Sequence, residues 1–260
     1  MKSWPDHSAG RTRANGAIFR LVVRGRMIDK YLKAVLFDMD GVLIESRNLI
    51  ERVWRSVAAK YDVTVTADFV REHIHGRPGH YTRDELFKGF SLDERLAIKA
   101  EVDAMEESAF SPMLPGVDFF LNLLKASDVP MALVTSSWRQ RIVNVIEMHC
   151  LQGVFCVIVD RDDIAKGKPS PQCYRAAASQ LGISARNCLI FEDSVSGVKA
   201  GVASGATCLG IGEGDDLLKA GALACFADFD RVADHLTPVE GRTLRFEHAQ
   251  TTFLLQGACQ

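Results

Sequence analysis

The stretch Ala34-Val35-Leu36-Phe37-Asp38-Met39-Asp40-Gly41-Val42 decides the fold. An apolar run of strand length ends on two aspartates one residue apart, followed at once by glycine. That order reads as a buried strand delivering carboxylates to a sheet edge, where Gly41 lets the backbone turn sharply and approach a ligand. A lone aspartate in a loop would say little. Here a Lys-Pro pair at 168–169 and a Glu-Asp pair at 192–193 follow at later strand exits, and together they point to phosphoryl chemistry.

Outward from this segment, short apolar runs alternate with helical periodicity. The expected strands are 33–37, 131–135, 156–159, 188–191 and 207–211, with a weaker one at 224–227. Between the later strands lie helical stretches at 117–126, 139–149, 171–181 closed by Gly182, and 195–204 closed by Gly205. Strand-helix alternation predicts an α/β core with a parallel sheet covered on both faces. Residues 47–111 break the alternation. Leu49, Ile50, Val53, Trp54, Val57 and Tyr61 recur at helical spacing, and Thr82-x-x-Glu85 and Ser91-x-x-Glu94 read as capping boxes. The expected organisation is therefore a core of residues 31–46 and 112–236, an inserted helical cap at 47–111 with hinges near Ser46 and 111–116, and a C-terminal tail at 237–260. A cap over the strand ends would act as a lid excluding water; the plainer alternative is a static helical decoration.

Composition limits the partners. A net charge of −2 in 260 residues, with both signs dispersed, gives no electrostatic case for nucleic acid or membrane and favours a small-molecule partner and a monomer or small homo-oligomer. The seven cysteines form no Cys-x-x-Cys pair, which fits a reducing cytoplasm, and no apolar run approaches the roughly 20 residues needed to span a bilayer. Residues 1–30 form a basic arm, with Lys2, Arg11, Arg13, Arg20, Arg24, Arg26 and Lys30 against Asp6 and Asp29. It reads as a disordered arm or an over-extended start ahead of Met27, with an organelle transit peptide as the other possibility.

Four segments carry the chemistry. Asp38 is the candidate nucleophile, forming an aspartyl phosphate, and Asp40 the candidate general acid and then base. Two carboxylates this close call for a cation, and oxygen ligands beside phosphate suggest Mg²⁺. Met131-Ala132-Leu133-Val134-Thr135-Ser136 is a strand ending in hydroxyls, so Thr135 and Ser136 are candidate phosphate ligands. Gly167-Lys168-Pro169-Ser170-Pro171 presents Lys168 as a fixed cation for the phosphoryl group. Leu189-Ile190-Phe191-Glu192-Asp193-Ser194 supplies Asp193, with Glu192 assisting, to a metal shell shared with Asp38 and the backbone carbonyl of Asp40. Each segment alone has an ordinary reading: an Asx turn, a helix N-cap, a solvated surface lysine, an acid complementing a helix dipole. All four fall at the carboxyl ends of strands, where open α/β sheets bind ligands.

In order and spacing these segments resemble the haloacid dehalogenase superfamily of phosphotransferases, over residues 33–230. The motifs are Asp-x-Asp-Gly-Val, Gly-Lys-Pro-x-Pro and Glu-Asp-Ser-x-x-Gly, the last including Gly197. The resemblance implies a modified Rossmann-like core with a helical cap inserted after the first motif. It also implies Asp38 as nucleophile, Asp40 as acid/base, Thr135 and Lys168 as phosphate ligands, and Glu192 and Asp193 around Mg²⁺. Within the superfamily the chain resembles the branch of β-phosphoglucomutase and the sugar- or polyol-phosphate phosphatases. The mutase pattern places a histidine twelve residues past the nucleophile; Ile50 stands there, which favours hydrolysis, with the mutase kept as the alternative. The turn His75-Gly76-Arg77-Pro78-Gly79 is similar to a cap specificity loop, so Arg77 is the expected substrate contact, with His75 and His80 as lesser candidates. Asp40 argues against a dehalogenase and against a phosphonate hydrolase, and the full polar set argues against a non-catalytic binding protein.

Overall fold

The computed structural model describes residues 22–23, 26–27, 30–239, 242–249 and 251–257. Most of the basic arm expected at 1–30 lies outside them. Val22–Val23 (β1) and Arg26–Met27 (β2) form a short antiparallel pair. Lys30–Leu32 (β3) then leads into Ala34–Phe37 (β4), which is the strand expected at 33–37, while β3, before Lys33, belongs to another sheet.

The next segments are helical: Arg47–Ala59 (α1), Ala67–Phe69 (α2), a π-type turn over Val70–Ile74, Gly79–Leu86 (α3) and Leu92–Ser108 (α4). They close on their own apolar cluster, in which Val53, Trp54 and Val57 of α1 meet Ile98 and Val102 of α4 around Phe87. That separate cluster makes the insert a body of its own. Ser91 and Glu94 form the expected capping box at the start of α4. Thr82 does not: it lies inside α3, which begins behind Pro78, and its hydroxyl donates to the His73 carbonyl.

The chain then alternates as expected through Val117–Ala126 (α5), Met131–Val134 (β5), Arg139–Met148 (α6), Val157–Val159 (β6), Gln172–Gln180 (α7), Cys188–Glu192 (β7), Val195–Ser204 (α8), Thr207–Ile211 (β8), Asp216–Lys219 (α9), Cys225–Phe226 (β9) and Phe229–Ala233 (α10). The sheet order is β6-β5-β4-β7-β8-β9, parallel throughout. Alternate residues of each central strand serve opposite cores. Val35, Phe37, Leu133 and Phe191 face the layer of α5, α6 and α10, whereas Leu36, Val134 and Ile190 face α7 and α8. Phe37 and Phe191 stack at 5.5 Å on adjacent strands, with Phe120 and Phe229 closing the cluster beneath them. With β4 central and buried on both faces, Asp38 emerges at the middle of the carboxyl edge.

The described residues of the tail expected at 237–260 are mostly strand. Leu236–Val239 (β10), Thr243–His248 (β11) and Thr251–Gln256 (β12) make an antiparallel meander that β3 completes in the order β10-β11-β12-β3. Leu244, Phe246, Phe253 and Leu255 from this second sheet join the main core. Alternation of apolar and polar residues in β11 buries one face and leaves the other polar, which is why the segment folds as a strand.

Candidate active site

The floor of the site is a hydrogen-bonded line of buried groups at the ends of β4, β5 and β7. Lys168 Nζ donates to Asp38 Oδ1 at 2.5 Å, to Glu192 Oε1 at 2.6 Å and to the Val134 carbonyl at 3.3 Å. Tyr174 on α7 donates its hydroxyl to the same Glu192 oxygen at 2.7 Å. The other oxygen, Oε2, accepts from the backbone N–H groups of Asp193 and Ser194 and from the Ser194 hydroxyl. Glu192 is 0% exposed and fully used within the protein, so it acts here as the anchor of Lys168. A Cβ at Gly197 would stand 1.8 Å from Glu192 Oε1, which explains the glycine of the Glu-Asp-Ser-x-x-Gly motif.

Electrostatics follow from this burial. Desolvation pushes the Asp38 carboxyl well above the ordinary carboxylate range, against the pull of Lys168, with Glu192, Asp193 and Asp40 pushing the same way as burial. Burial alone would lower Lys168, but Asp38 and Glu192 on either side hold it firmly protonated. The charge on Asp38 thus depends on neighbouring cations.

Asp40 is held differently. Arg141 grips both of its oxygens, Nη1 to Oδ2 at 2.6 Å and Nη2 to Oδ1 at 2.5 Å, and the Ser46 hydroxyl donates to Oδ1 at 2.5 Å. Burial would raise the Asp40 carboxyl, yet the Arg141 guanidinium and the Ser46 hydroxyl keep it below its usual value. Ser46, expected as a hinge, is therefore also a ligand of Asp40. Between Asp40 and the cap the backbone folds tightly, with Gly41 N–H donating to Ile44 at 2.8 Å and Ile44 bridging to Met113. Gly41 has φ +73°, and a Cβ there would lie 2.0 Å from Asp193 Oδ2, so conformation and space both require glycine.

Asp193 pairs through Oδ2 with Arg47 Nε at 2.9 Å, at the start of the cap. Burial pushes its carboxyl up to about 7, with Arg47 pulling the other way. Ligand oxygens of Asp38, Glu192 and Asp193 lie within 4.8 Å of one another. Burial and mutual repulsion raise both Asp38 and Asp193, and a cluster of hard carboxylate oxygens that ionises reluctantly on its own fits a divalent cation such as Mg²⁺.

Cap and core enclose a cavity of about 90 Å³. Asp38, Asp40, Lys168 and Asp193 reach it from the core, together with Thr135 and Ser136; Arg77 and His75 reach it from the cap. Thr135 is not the N-cap of α6: its Oγ1 accepts from Ser137 N–H at 3.1 Å within the strand-end turn, and Trp138 precedes the helix. Arg77 donates Nε to the Glu72 carbonyl and lies 5.2 Å above the Tyr81 ring. His75 Nε2 is buried without a partner, whereas His80 lies outside this cavity, along a neighbouring cleft. Ile50 is in the wall.

Several residues of the site escaped the sequence reading. Arg141, Trp138, Lys99, Glu106 and Arg161 all line the cavity, and Tyr174 sits behind it. Arg141 had a visible signal, because with Ile142 and Val145 it is one of the buried residues of α6.

Comparison with known proteins agrees with this geometry. Residues 32–205 match the family model of haloacid dehalogenase-like hydrolases. The phosphorylated carbohydrates phosphatase of Thermotoga maritima is 31% identical over 202 residues, covering 74% of this chain and 93% of that protein. β-Phosphoglucomutase of Bacillus subtilis is 28% identical, covering 73% and 87%. Among solved structures, a putative β-phosphoglucomutase from Bacteroides vulgatus superposes with a TM-score of 0.69 at 26% identity, covering 80% and 88%. A doubly covered parallel sheet with paired aspartates at the exit of its central strand, a helical insert directly behind them, and a matching family model over most of its length place the chain in the haloacid dehalogenase-like hydrolases.

Proposed function

We propose that this hydrolase is a Mg²⁺-dependent phosphatase of small phosphorylated carbohydrates or polyols, working through an aspartyl phosphate on Asp38. The observation that carries the reading is the buried Lys168 bridge between Asp38 and Glu192, opening onto a cavity shared with the cap. A lysine fixed between carboxylates keeps its charge and its place, as needed to stabilise charge on a transferring phosphoryl group.

In this mechanism a carboxylate oxygen of Asp38 attacks phosphorus while the bond to the leaving oxygen breaks. Asp40 delivers a proton to that oxygen, then takes one from the water that splits the acyl phosphate and releases inorganic phosphate. Thr135 and Ser136 bind phosphate oxygens without adding charge, and Lys168 stays on the reacting group. Asp38, Asp193 and the Asp40 carbonyl would hold Mg²⁺, whose chemistry is to neutralise the ester dianion. Glu192 then serves by orienting Lys168. The cavity of about 90 Å³ adjoins a cleft of about 480 Å³ with which it shares Arg47, His75, Arg77 and Asp193, and movement of the cap would widen it further for a sugar phosphate.

Ile50 in the cavity wall supports hydrolysis over transfer. A mutase must grip a sugar bisphosphate while it reorients, and isoleucine offers no hydrogen bond. The test is a panel of sugar and polyol phosphates with the purified chain, with Mg²⁺ and with excess EDTA. Phosphate release that requires Mg²⁺ is expected; full activity in EDTA would remove the metal from the account, and no release from any ester would overturn it.

A further inference from the structure

The cleft bordered by His80 holds about 260 Å³ and adjoins the reaction cavity, with Arg77, Ser136, Arg161 and Lys168 lining both. Among the described residues that line it there is no carboxylate. The larger cleft of about 480 Å³, by contrast, sets Glu72, Asp193, Glu213 and Asp216 against its cations. Beside the site of phosphoryl chemistry, the smaller cleft is thus the one that favours an anion.

Three acids surround Arg161 in the sequence, Asp160, Asp162 and Asp163, and they would be expected to neutralise it. The structure engages two of them elsewhere. Asp160 and Asp163 close a capping box around the short 3₁₀ turn Arg161–Asp163, and both pair with Arg139. Only Asp162 stays near, 3.7 Å from Arg161 Nε and exposed to solvent, where an ion pair holds weakly. The Arg161 N–H donates to the Ser137 carbonyl at 3.2 Å, and its guanidinium lies 5.1 Å over the Trp138 ring.

On the cap side Arg77 is held in the same manner. Its Nε donates to the Glu72 carbonyl at 3.2 Å and its guanidinium lies 5.2 Å over the Tyr81 ring, with no carboxylate paired to it among the described residues. The terminal nitrogens of both guanidiniums therefore have no acceptor among the described residues. The same positive surroundings act on His80: burial first, then Arg83, Arg161 and Lys99, hold it below its ordinary value against the pull of Asp84. Two planar forks fixed on aromatic rings, one from the cap and one from the core, suit a carboxylate or a phosphate.

We propose that the cleft between Arg77 and Arg161 binds a second acidic group of the substrate, a carboxylate or phosphate remote from the scissile phosphoryl group, and that Arg161 is a specificity-determining residue. The proposal rests on the phosphatase reading and narrows it. The preferred esters are phosphorylated sugar acids or sugar bisphosphates, ahead of uncharged polyol phosphates.

The test compares three esters on one carbon chain: glucitol 6-phosphate, whose far end is an alcohol, 6-phosphogluconate, whose far end is a carboxylate, and glucitol 1,6-bisphosphate. The wild type should favour at least one acid-bearing ester over glucitol 6-phosphate by at least about tenfold in kcat/KM. Which of the two leads tells a carboxylate site from a phosphate site. Arg161→Gln should bring that preference to within roughly threefold of parity, chiefly through KM, while Arg161→Lys should keep part of it. A merely structural role would lower all three rates together and leave the preference intact. A wild type without the preference, including one that cleaves only p-nitrophenyl phosphate, or a preference that survives Arg161→Gln, would overturn the proposal. A wild type that releases phosphate from none of the three esters nor from p-nitrophenyl phosphate would instead overturn the phosphatase reading beneath it.

Discussion

The floor and the roof of the cavity hold their polar groups in opposite ways. On the floor, Asp38, Lys168, Glu192 and Tyr174 form a continuous hydrogen-bonded line, with Asp38 and Glu192 at the ends of β4 and β7, whose backbone is fixed by the parallel ladder between them. On the roof, Ile50, Arg77 and Glu106 come from a helical body with its own apolar core, tied to the floor by a few contacts such as Ser196 to the Gly76 carbonyl and Trp138 to Glu107. A saturated network tolerates no loss without leaving a buried charge unpaired. A body with its own core can move as a unit. The floor is therefore the rigid side of the cavity, and the roof is the side that can move relative to it.

That contrast fails if floor variants are mild or roof variants severe. The largest effect expected is at Asp38: Asp38→Asn should abolish turnover, on the order of 10⁶-fold, together with acid-stable trapping of phosphate on the protein. Wild-type-like turnover would refute the nucleophile. Next, Lys168→Met should lower stability by about 3–5 kcal/mol, because Asp38 and Glu192 would be left facing each other without their cation; a denaturant midpoint close to the wild type would contradict the anchored floor.

Glu106 sharpens the comparison from the roof. Burial pushes its carboxyl up to about 7. As pH rises from the ordinary glutamate value through 7, the unfolded chain has already lost the proton that the folded chain retains, so stability falls across that window. Glu106→Gln should remove this loss and be more stable than the wild type at pH 8, by at most roughly 3 kcal/mol, with a smaller difference at pH 5. Denaturant titrations at the two pH values decide it, and an equal difference at both would show that Glu106 is not a strained carboxyl. The smallest effect belongs to Arg77: Arg77→Ala should raise KM up to about tenfold with kcat little changed, as for a contact made equally in ground and transition states.

Asp38, Lys168 and Glu192 of the floor were legible in the chain because an apolar run followed by acid, hydroxyl or Gly-Lys-Pro marks the ligand-binding edge of a parallel sheet, whereas Tyr174, inside α7, carried no such mark. Gly41 and Gly197 belonged to that legible pattern, and the structure gives each a steric reason. Arg141 was missed because an arginine two residues from another, Arg139, looks like surface; the buried face of α6 shows only when Ile142 and Val145 are counted with it. The C-terminal sheet was missed although Thr243-Leu244-Arg245-Phe246 alternates in the manner of a strand and pairs with its sequence neighbours β10 and β12; only the edge pairing of β12 with β3 joins segments distant in the chain. Thr82-x-x-Glu85 had the spacing of a capping box, but Pro78 had already begun the helix.

The central claim is that phosphate on Asp38 is passed to water. Incubating the protein with Mg²⁺ and β-glucose 1-phosphate, and counting inorganic phosphate against glucose 6-phosphate, tests it most directly. The account predicts that phosphate release exceeds isomerisation by at least about tenfold, a difference of roughly 1.4 kcal/mol between competing barriers. Efficient conversion to glucose 6-phosphate with little free phosphate would contradict it, and would show that the cap grips a sugar bisphosphate without a polar group at Ile50.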